Sequence, residues 1–212
     1  MTNSVAGWLS EANLVLDSVG TAFVPSTFEA YVTVLHPAYI GGGADRRLVR
    51  WSTIAERNQA ELDRSTAWTD ITGPQFLHSG LRQRGLWDSE PVEGCVPPEI
   101  LPLLVSGLGD PLEGSSMVAV WEGYGPAITA AVSTPSRERL VLPNREYQVF
   151  PATTHLVAEL GQARCGPNLW WASDHSWCVG VEVDAMCTVV GASSAVVDRI
   201  ASSPHLEALV WT

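Results

Sequence analysis

Residues 177–184 read WCVGVEVD and carry the clearest secondary-structure pattern of the chain. The apolar side chains stand at every second position: Trp177, Val179, Val181 and Val183. Successive side chains of a β-strand point to opposite faces of the sheet. A strand is therefore predicted here, with these four side chains toward the core and with Glu182 and Asp184 on the outer face.

The residues that follow predict an antiparallel partner strand, running to about residue 190. A turn at Asp184-Ala185 pairs residue 178 with residue 191 and residue 187 with residue 182, so Cys178 and Cys187 are not opposite each other. No C-x-x-C pair is present. We therefore expect four free thiols in a reducing compartment, namely Cys95, Cys165, Cys178 and Cys187.

The same patterns recur along the rest of the chain. Residues 28–34 alternate apolar and polar side chains and predict a strand, and residues 139–150 predict a hairpin that turns at Pro143-Asn144. Apolar periodicity and end signals predict helices at 5–19, 53–62, 97–106, 153–161 and 194–202.

These elements predict an α+β fold, in which a mostly antiparallel sheet is formed largely by the second half and is covered by helices. Residues 65–97 are the least periodic stretch and the only candidate domain boundary. They contain Trp68 and Trp87, which a solvated linker would not carry. We therefore expect a single domain over residues 1–212.

The charge of the chain restricts its function. It holds 23 acidic and 12 basic residues, a net charge of -11, and every basic residue is an arginine. Without lysine, a Schiff base and a P-loop are excluded, and the negative field disfavours nucleic acid as a partner. Residues 1–7 do not resemble a signal peptide, and the apolar runs are far shorter than the roughly 20 residues that span a bilayer. We expect a cytoplasmic protein without a membrane partner.

Tryptophan is the most unusual component, with nine residues in the chain. Aromatic rings beside carboxylates form platforms on which a ligand stacks while the acid binds its polar groups. The alternative is that most of these rings pack the core. The candidate residues for binding a ligand or a partner are Trp121, Glu122, Tyr124, Trp171, Asp174 and Trp177.

Catalytic and metal-binding patterns are weak. Asp174-His175 could orient a base, but Ser-Asp-His-Ser is typical of a turn between strands. The five histidines lack the i, i+4 spacing of a helical metal site, and no serine elbow or dinucleotide fingerprint occurs. We therefore predict no catalytic residue, no metal ligand and no cofactor.

Several stretches resemble a family of uncharacterised actinobacterial proteins. The matching stretches are residues 28–31, 35–38, 120–125 and 167–171, then Asp174, 177–179 and 189–191. The family carries proline where this chain has Ala172 and arginine where it has His175, which weakens a catalytic role for His175. The resemblance implies a common fold without an activity. The layout of the C-terminal strands and helix is similar to that of the SUKH immunity proteins, α+β modules that bind toxins.

The leading functional prediction is a non-catalytic binding module for a protein partner, of an immunity type or regulatory. The alternative is an enzyme or small-ligand binder. Its pocket would be formed by Trp121, Glu122, Trp171 and Asp174. A deep pocket where these four side chains converge would favour the alternative, and a flat acidic face would favour the protein partner. The oligomeric state is left open.

Overall fold

The computed structural model describes residues 5–17, 20–76, 80–109, 115–125, 132, 136, 138–162 and 166–211. The α-helices in this part of the chain are α1 (Gly7–Glu11), α2 (Trp51–Asn58), α3 (Trp68–Thr72), α4 (Leu101–Leu108), α5 (Thr154–Gln162) and α6 (Ser194–Ala201). The strands are β1 (Leu14–Asp17), β2 (Gly20–Pro25), β3 (Ala30–Leu35), β4 (Ala38–Ile40), β5 (Arg47–Val49), β6 (Ser116–Trp121), β7 (Glu138–Leu142), β8 (Arg145–Pro151), β9 (Leu169–Ala172), β10 (Cys178–Gly180), β11 (Cys187–Ala192) and β12 (Ala208–Val210).

The central element is an 8-stranded sheet in the order β12-β3-β11-β10-β9-β6-β8-β7. Every neighbouring pair in it is antiparallel. All of its strands except β3 come from the second half of the chain. The structure thus confirms the predicted α+β fold with a mostly antiparallel sheet. No helix among the described residues combines the length and the apolar character needed to cross a membrane.

The pairing predicted between residues 178 and 191 is confirmed, since Cys178 lies opposite Gly191. The strand predicted over WCVGVEVD is too long, because β10 ends at Gly180 and the half-buried Val183 lies in the turn that follows. The predicted division into an inner and an outer face is wrong in part. Trp177, Val179 and Val181 are buried, but Cys178 between them is buried too. Both faces of β10 are buried because this strand lies inside the sheet, between β11 and β9, and each face of the sheet is covered by other elements.

The two faces of the sheet belong to different apolar clusters. On one face, Val179 and Val190 pack with Leu104 of α4, Leu156 of α5 and Val197 of α6. The other face is covered by α1 and the β1–β2 hairpin, which contribute these buried side chains: Ala6, Leu9, Phe23 and Val24. A third cluster beyond the end of β3 contains three of the nine tryptophans: Trp51, Trp68 and Trp87.

The helix predicted over residues 5–19 is wrong beyond its first turns. Helix α1 ends at Glu11, and β1 pairs antiparallel with β2. The hairpin places Phe23 and Val24 against the sheet. Burial of apolar side chains in tertiary packing outweighs a local helical pattern of marginal length. The hairpin predicted at Pro143-Asn144 is confirmed as β7–β8, with Asn144 in the left-handed conformation at φ 61°.

Candidate functional site

The candidate residues Trp121, Glu122 and Tyr124 lie together where β6 ends. The ladder between β6 and β8 stops at the pair Trp121–Tyr147, and a short 3-10 turn over Glu122–Tyr124 follows. The Trp121 and Tyr124 rings meet edge to face at 5.2 Å. This turn requires glycine at position 123, because a Cβ there would lie 2.1 Å from the Trp121 ring.

A cluster of charged residues surrounds Glu122 on one face of the sheet. Arg139 of β7 binds both oxygens of the Glu122 carboxylate, with Nε 2.8 Å from Oε1. Its Nη2 also donates to Glu146 of β8 at 2.6 Å. These hydrogen bonds from Arg139 lower the pKa of Glu122. The cluster contains two carboxylates and one guanidinium, so its acidic groups outnumber its basic one.

A second cluster lies beside Trp121, on the opposite face. Arg145, whose side chain is 22% exposed, has its guanidinium 5.5 Å from the centre of the Trp121 ring. It binds Glu182 at 2.8 Å and Asp184 at 3.3 Å. The Glu182 side chain is only 12% exposed, which corrects the expectation that it faces outward. The ion pairs of Arg145 with Glu182 and Asp184 join the start of β8 to the turn between β10 and β11.

An open cleft of about 530 Å³ lies next to this second cluster. Its lining includes Phe23, Asn144 and Arg145 together with Glu182 and Asp184. The Asp184 side chain is 82% exposed and Arg145 is its one ion-pair partner among the described residues. The cleft therefore contains the accessible carboxylate of Asp184 beside Arg145, whose guanidinium also pairs with Glu182.

Tyr147 lies near the cleft. Its side chain is fully buried, and its hydroxyl has no hydrogen-bond partner in the part of the chain that the structure describes. Its ring meets Phe23 edge to face at 6.4 Å. Burial raises the pKa of Tyr147, and the negative charge of Glu182 raises it further, so the phenol stays protonated.

Asn168 fixes the geometry of this end of the sheet, although the sequence patterns assigned it no role. Its buried amide accepts a hydrogen bond from the Trp121 backbone N–H at 2.8 Å. It also donates to the Gly94 carbonyl and to the Tyr124 hydroxyl, each at 2.7 Å. Gly94 adopts φ +82°, and a Cβ there would lie 2.5 Å from the Val183 carbonyl oxygen. A buried asparagine with its amide fully bonded is a structural anchor.

The other three candidate residues lie elsewhere. Trp171 is fully buried within the apolar cluster under α1, and Trp177 packs edge to face on Trp170 at 5.3 Å in the opposite cluster. Asp174 is exposed in the turn after β9, which pairs with the start of β6. The start and the end of β6 are roughly 17 Å apart. The structure thus does not bring Trp121, Glu122, Trp171 and Asp174 into one pocket.

Asp174 and His175 do not form a hydrogen-bonded pair that could orient a base. The Asp174 carboxylate accepts from the Ser176 backbone N–H at 3.0 Å, and hydrogen bonds from Ser176 lower its pKa. The His175 ring stacks on Trp8 at 4.2 Å, with the residue at φ 60°. Asp174 and His175 thus make structural contacts within and around the turn that connects β9 to β10.

The core contains a histidine and several cysteines that could in principle be reactive. His36 is buried, with its ring nitrogens 2.6 Å from the Val92 carbonyl and 2.8 Å from the Thr188 hydroxyl. Cys95, Cys178 and Cys187 are buried and form no disulfide with one another, and burial raises the pKa of Cys178. Cys165 lies outside the described residues. Within those residues, no group of three or more His, Cys, Asp or Glu side chains is placed to hold a metal ion.

Comparison of the chain with protein-family models, with curated proteins and with solved structures finds no match. The candidate site therefore rests on its own geometry. We call it the acidic sheet end and define it by these residues: Trp121, Glu122, Arg139, Arg145, Glu146, Glu182 and Asp184.

Sequence patterns missed both arginines of the acidic sheet end. Arg145 directly follows a hairpin turn, whereas Arg139 lies near the start of β7, and neither carries a motif. Only the pairing of β7 with β8, and of β8 with β6, brings them to Trp121 and Glu122. A usable signal was present for Arg145, since a strand residue directly after a tight turn lies at one end of the sheet.

Proposed function

We propose that the protein is a non-catalytic binding module that recognises the basic surface of a protein partner through the acidic sheet end. The observation that supports this most is the charge of that surface. Four carboxylates, Glu122, Glu146, Glu182 and Asp184, stand against two arginines. With a net charge of -11, the whole chain adds long-range attraction for a basic partner.

The composition of the acidic sheet end also suits an interface. Arginine and aromatic residues are enriched at the centres of protein interfaces, and Trp121 lies half-buried between Arg145 and Tyr124. On the face that carries Glu146, the side chain of Val141 on the edge strand β7 is 60% exposed. An apolar side chain within a charged rim matches the anatomy of a binding surface.

The cleft gives the proposal a more specific form. A lysine or arginine side chain from the partner would enter the space beside Asp184 and pair with its exposed carboxylate. An immunity-type role, in which the partner is a toxin, is the particular version that the layout of the C-terminal strands and helix suggests.

Affinity capture from the native lysate with matched charge variants tests the proposal. The triple variant Glu122→Gln, Glu146→Gln, Asp184→Asn removes three charges from the acidic sheet end. A control variant, Glu56→Gln, Glu61→Gln, Asp198→Asn, removes three exposed charges elsewhere. We expect the wild type and the control to retain a basic protein that the first variant loses. Equal capture by both variants, or no retained protein, would contradict the proposal.

A further inference from the structure

A second cavity, of about 440 Å³, lies beside the other edge of the sheet. It is bounded by the end of β3, the residue before α2, helix α4 and the segment that leads into β12. Its lining is mainly apolar and includes Leu35, Ile100, Leu103 and Leu206. Leu48, at 51% exposure, also borders it. Small-molecule sites are typically concave, about 300–1,000 Å³ in volume and mostly apolar, with a few polar groups that fix the ligand.

The two carboxylates of this cavity already have partners. Glu207 accepts hydrogen bonds from the backbone N–H groups of Trp51 and Ser52, at 2.6 and 2.7 Å, and so caps the N-terminus of α2. Glu99 accepts from the Tyr39 hydroxyl at 3.3 Å and lies 3.6 Å from Arg46. Both carboxylates are therefore engaged within the protein, Glu207 by backbone N–H groups and Glu99 by Tyr39 and Arg46.

Arg50 is different. Its Nη2 donates to the Pro204 carbonyl, so its guanidinium bridges two walls of the cavity. Among the described residues, no carboxylate lies within ion-pair distance of Arg50. A guanidinium carries five N–H donors in a planar fork, and a carboxylate is the group that matches it.

We propose that this cavity binds a small organic anion with an apolar body, such as a medium-chain carboxylate. The hydrocarbon chain would lie on Leu35, Ile100, Leu103 and Leu206, and the carboxylate would pair with the free donors of Arg50. The site is separate from the acidic sheet end and does not depend on the proposed protein partner.

Isothermal titration of the full chain tests this with octanoate as the probe and with octylammonium and octanol as chain-matched comparisons. We expect saturable octanoate binding, with weaker binding of the other two. Arg50→Gln keeps a donor for the Pro204 carbonyl but removes the charge, so the octanoate Kd should rise about tenfold or more. Arg57→Gln removes one positive charge from the exposed face of α2 and should leave the Kd unchanged.

Leu48→Glu provides a second variant, because Leu48 is exposed enough to accept a charge without loss of the fold. The added carboxylate should weaken octanoate binding by repulsion and leave octanol binding nearly unchanged. The proposal is overturned if octanoate does not saturate, if Arg50→Gln binds it as tightly as the wild type, or if octylammonium or octanol binds equally well.

Discussion

At the scale of the single residue, the side chain of Asn168 links separate parts of the chain at the end of the sheet, although sequence patterns did not suggest it as a candidate. One buried amide connects the end of β6, the Gly94 loop and Tyr124. These contacts hold Trp121 and the turn after it in place. The acidic sheet end therefore depends on a residue that lies beneath it and does not itself belong to the binding surface.

Asn168→Ala should destabilise the protein by about 1–3 kcal/mol, since it leaves the Trp121 N–H without its partner and removes one of two hydrogen bonds to the Gly94 carbonyl, the other coming from the Tyr124 hydroxyl. Urea unfolding measures this as a lower midpoint with an unchanged slope. Asn13→Ala, at an exposed position, is the control and should change stability by less than about 0.5 kcal/mol. Equal midpoints for the two variants would show that Asn168 is not an anchor.

His36 predicts a pH dependence. Its Nδ1–H donates to the Val92 carbonyl, so Nε2 is the bare nitrogen that accepts from Thr188. Burial lowers the pKa of His36 from 6.5 to about 4. The unfolded chain thus takes up the proton first, and folding loses stability as the pH falls.

The contribution of His36 should be complete above pH 6.5 and be lost between that pH and about 4, the pKa of the folded state. Its full size is about 3 kcal/mol. His36→Asn retains a donor for Val92 and does not titrate, so its free energy of unfolding should depend less on pH across this window. Identical pH profiles for the two proteins, measured by urea unfolding, would show that His36 is not the titrating group.

At the scale of the element, β10 is the interior strand on which both apolar clusters converge. Val181→Asp places an unpaired charge in the core next to β10 and should prevent folding, or cost more than about 4 kcal/mol. Val141→Asp is the matched control, since Val141 lies on the edge strand and is largely exposed. It should change stability by less than about 1 kcal/mol. Thermal melts that rank the two variants the other way would reverse the assignment of interior and edge.

The ion pair between β8 and the β10–β11 turn gives a second prediction for the elements. Glu182→Ala removes a charge-assisted hydrogen bond to Arg145 and should cost about 2 kcal/mol. Asp184→Ala removes a carboxylate that is mostly in solvent and should cost less than about 1 kcal/mol. Urea unfolding of both variants checks this, and a larger loss for Asp184→Ala would contradict the structure.

Element patterns in the sequence predicted some parts of this fold and not others. The turn predicted at Asp184-Ala185 led to the correct pairing of Cys178 with Gly191, because the position of a hairpin turn fixes the register of both strands. The observed turn lies one residue earlier, at residues 183–184. The local pattern predicted a helix over residues 14–17. Their pairing with β2 depends on packing against the sheet, which no local pattern contains. Which faces of β10 are covered depends on α1 and α4, which are distant in sequence.

The candidate site was predictable only to the extent that its residues are close in sequence. Trp121, Glu122 and Tyr124 are close in the sequence and lie together in the structure. Trp171 and Asp174 belong to another stretch, and Asp174 lies at the opposite end of β6 because β9 runs antiparallel to it. Strand direction and order, which no local pattern contains, decide such distances.

At the scale of the whole molecule, the sheet has two ends and two edges with different properties. The acidic sheet end presents more carboxylates than arginines beside an exposed edge strand. The cavity near β12 is mostly apolar and contains one cation without a carboxylate partner among the described residues. Thus a chain with a net charge of -11 offers an acidic surface suited to a protein and a separate pocket suited to a small anion.

Site-specific photo-crosslinking tests the central claim, that the acidic sheet end binds a basic protein, most directly. A photoreactive residue at Val141 lies beside this surface, and one at Ala195 on α6 is the exposed control. In native lysate, we predict one dominant adduct from position 141, none from position 195, and loss of the adduct with Glu122→Gln, Glu146→Gln, Asp184→Asn. An adduct from position 141 that persists unchanged in the triple variant, or the same adduct from position 195, would contradict the account.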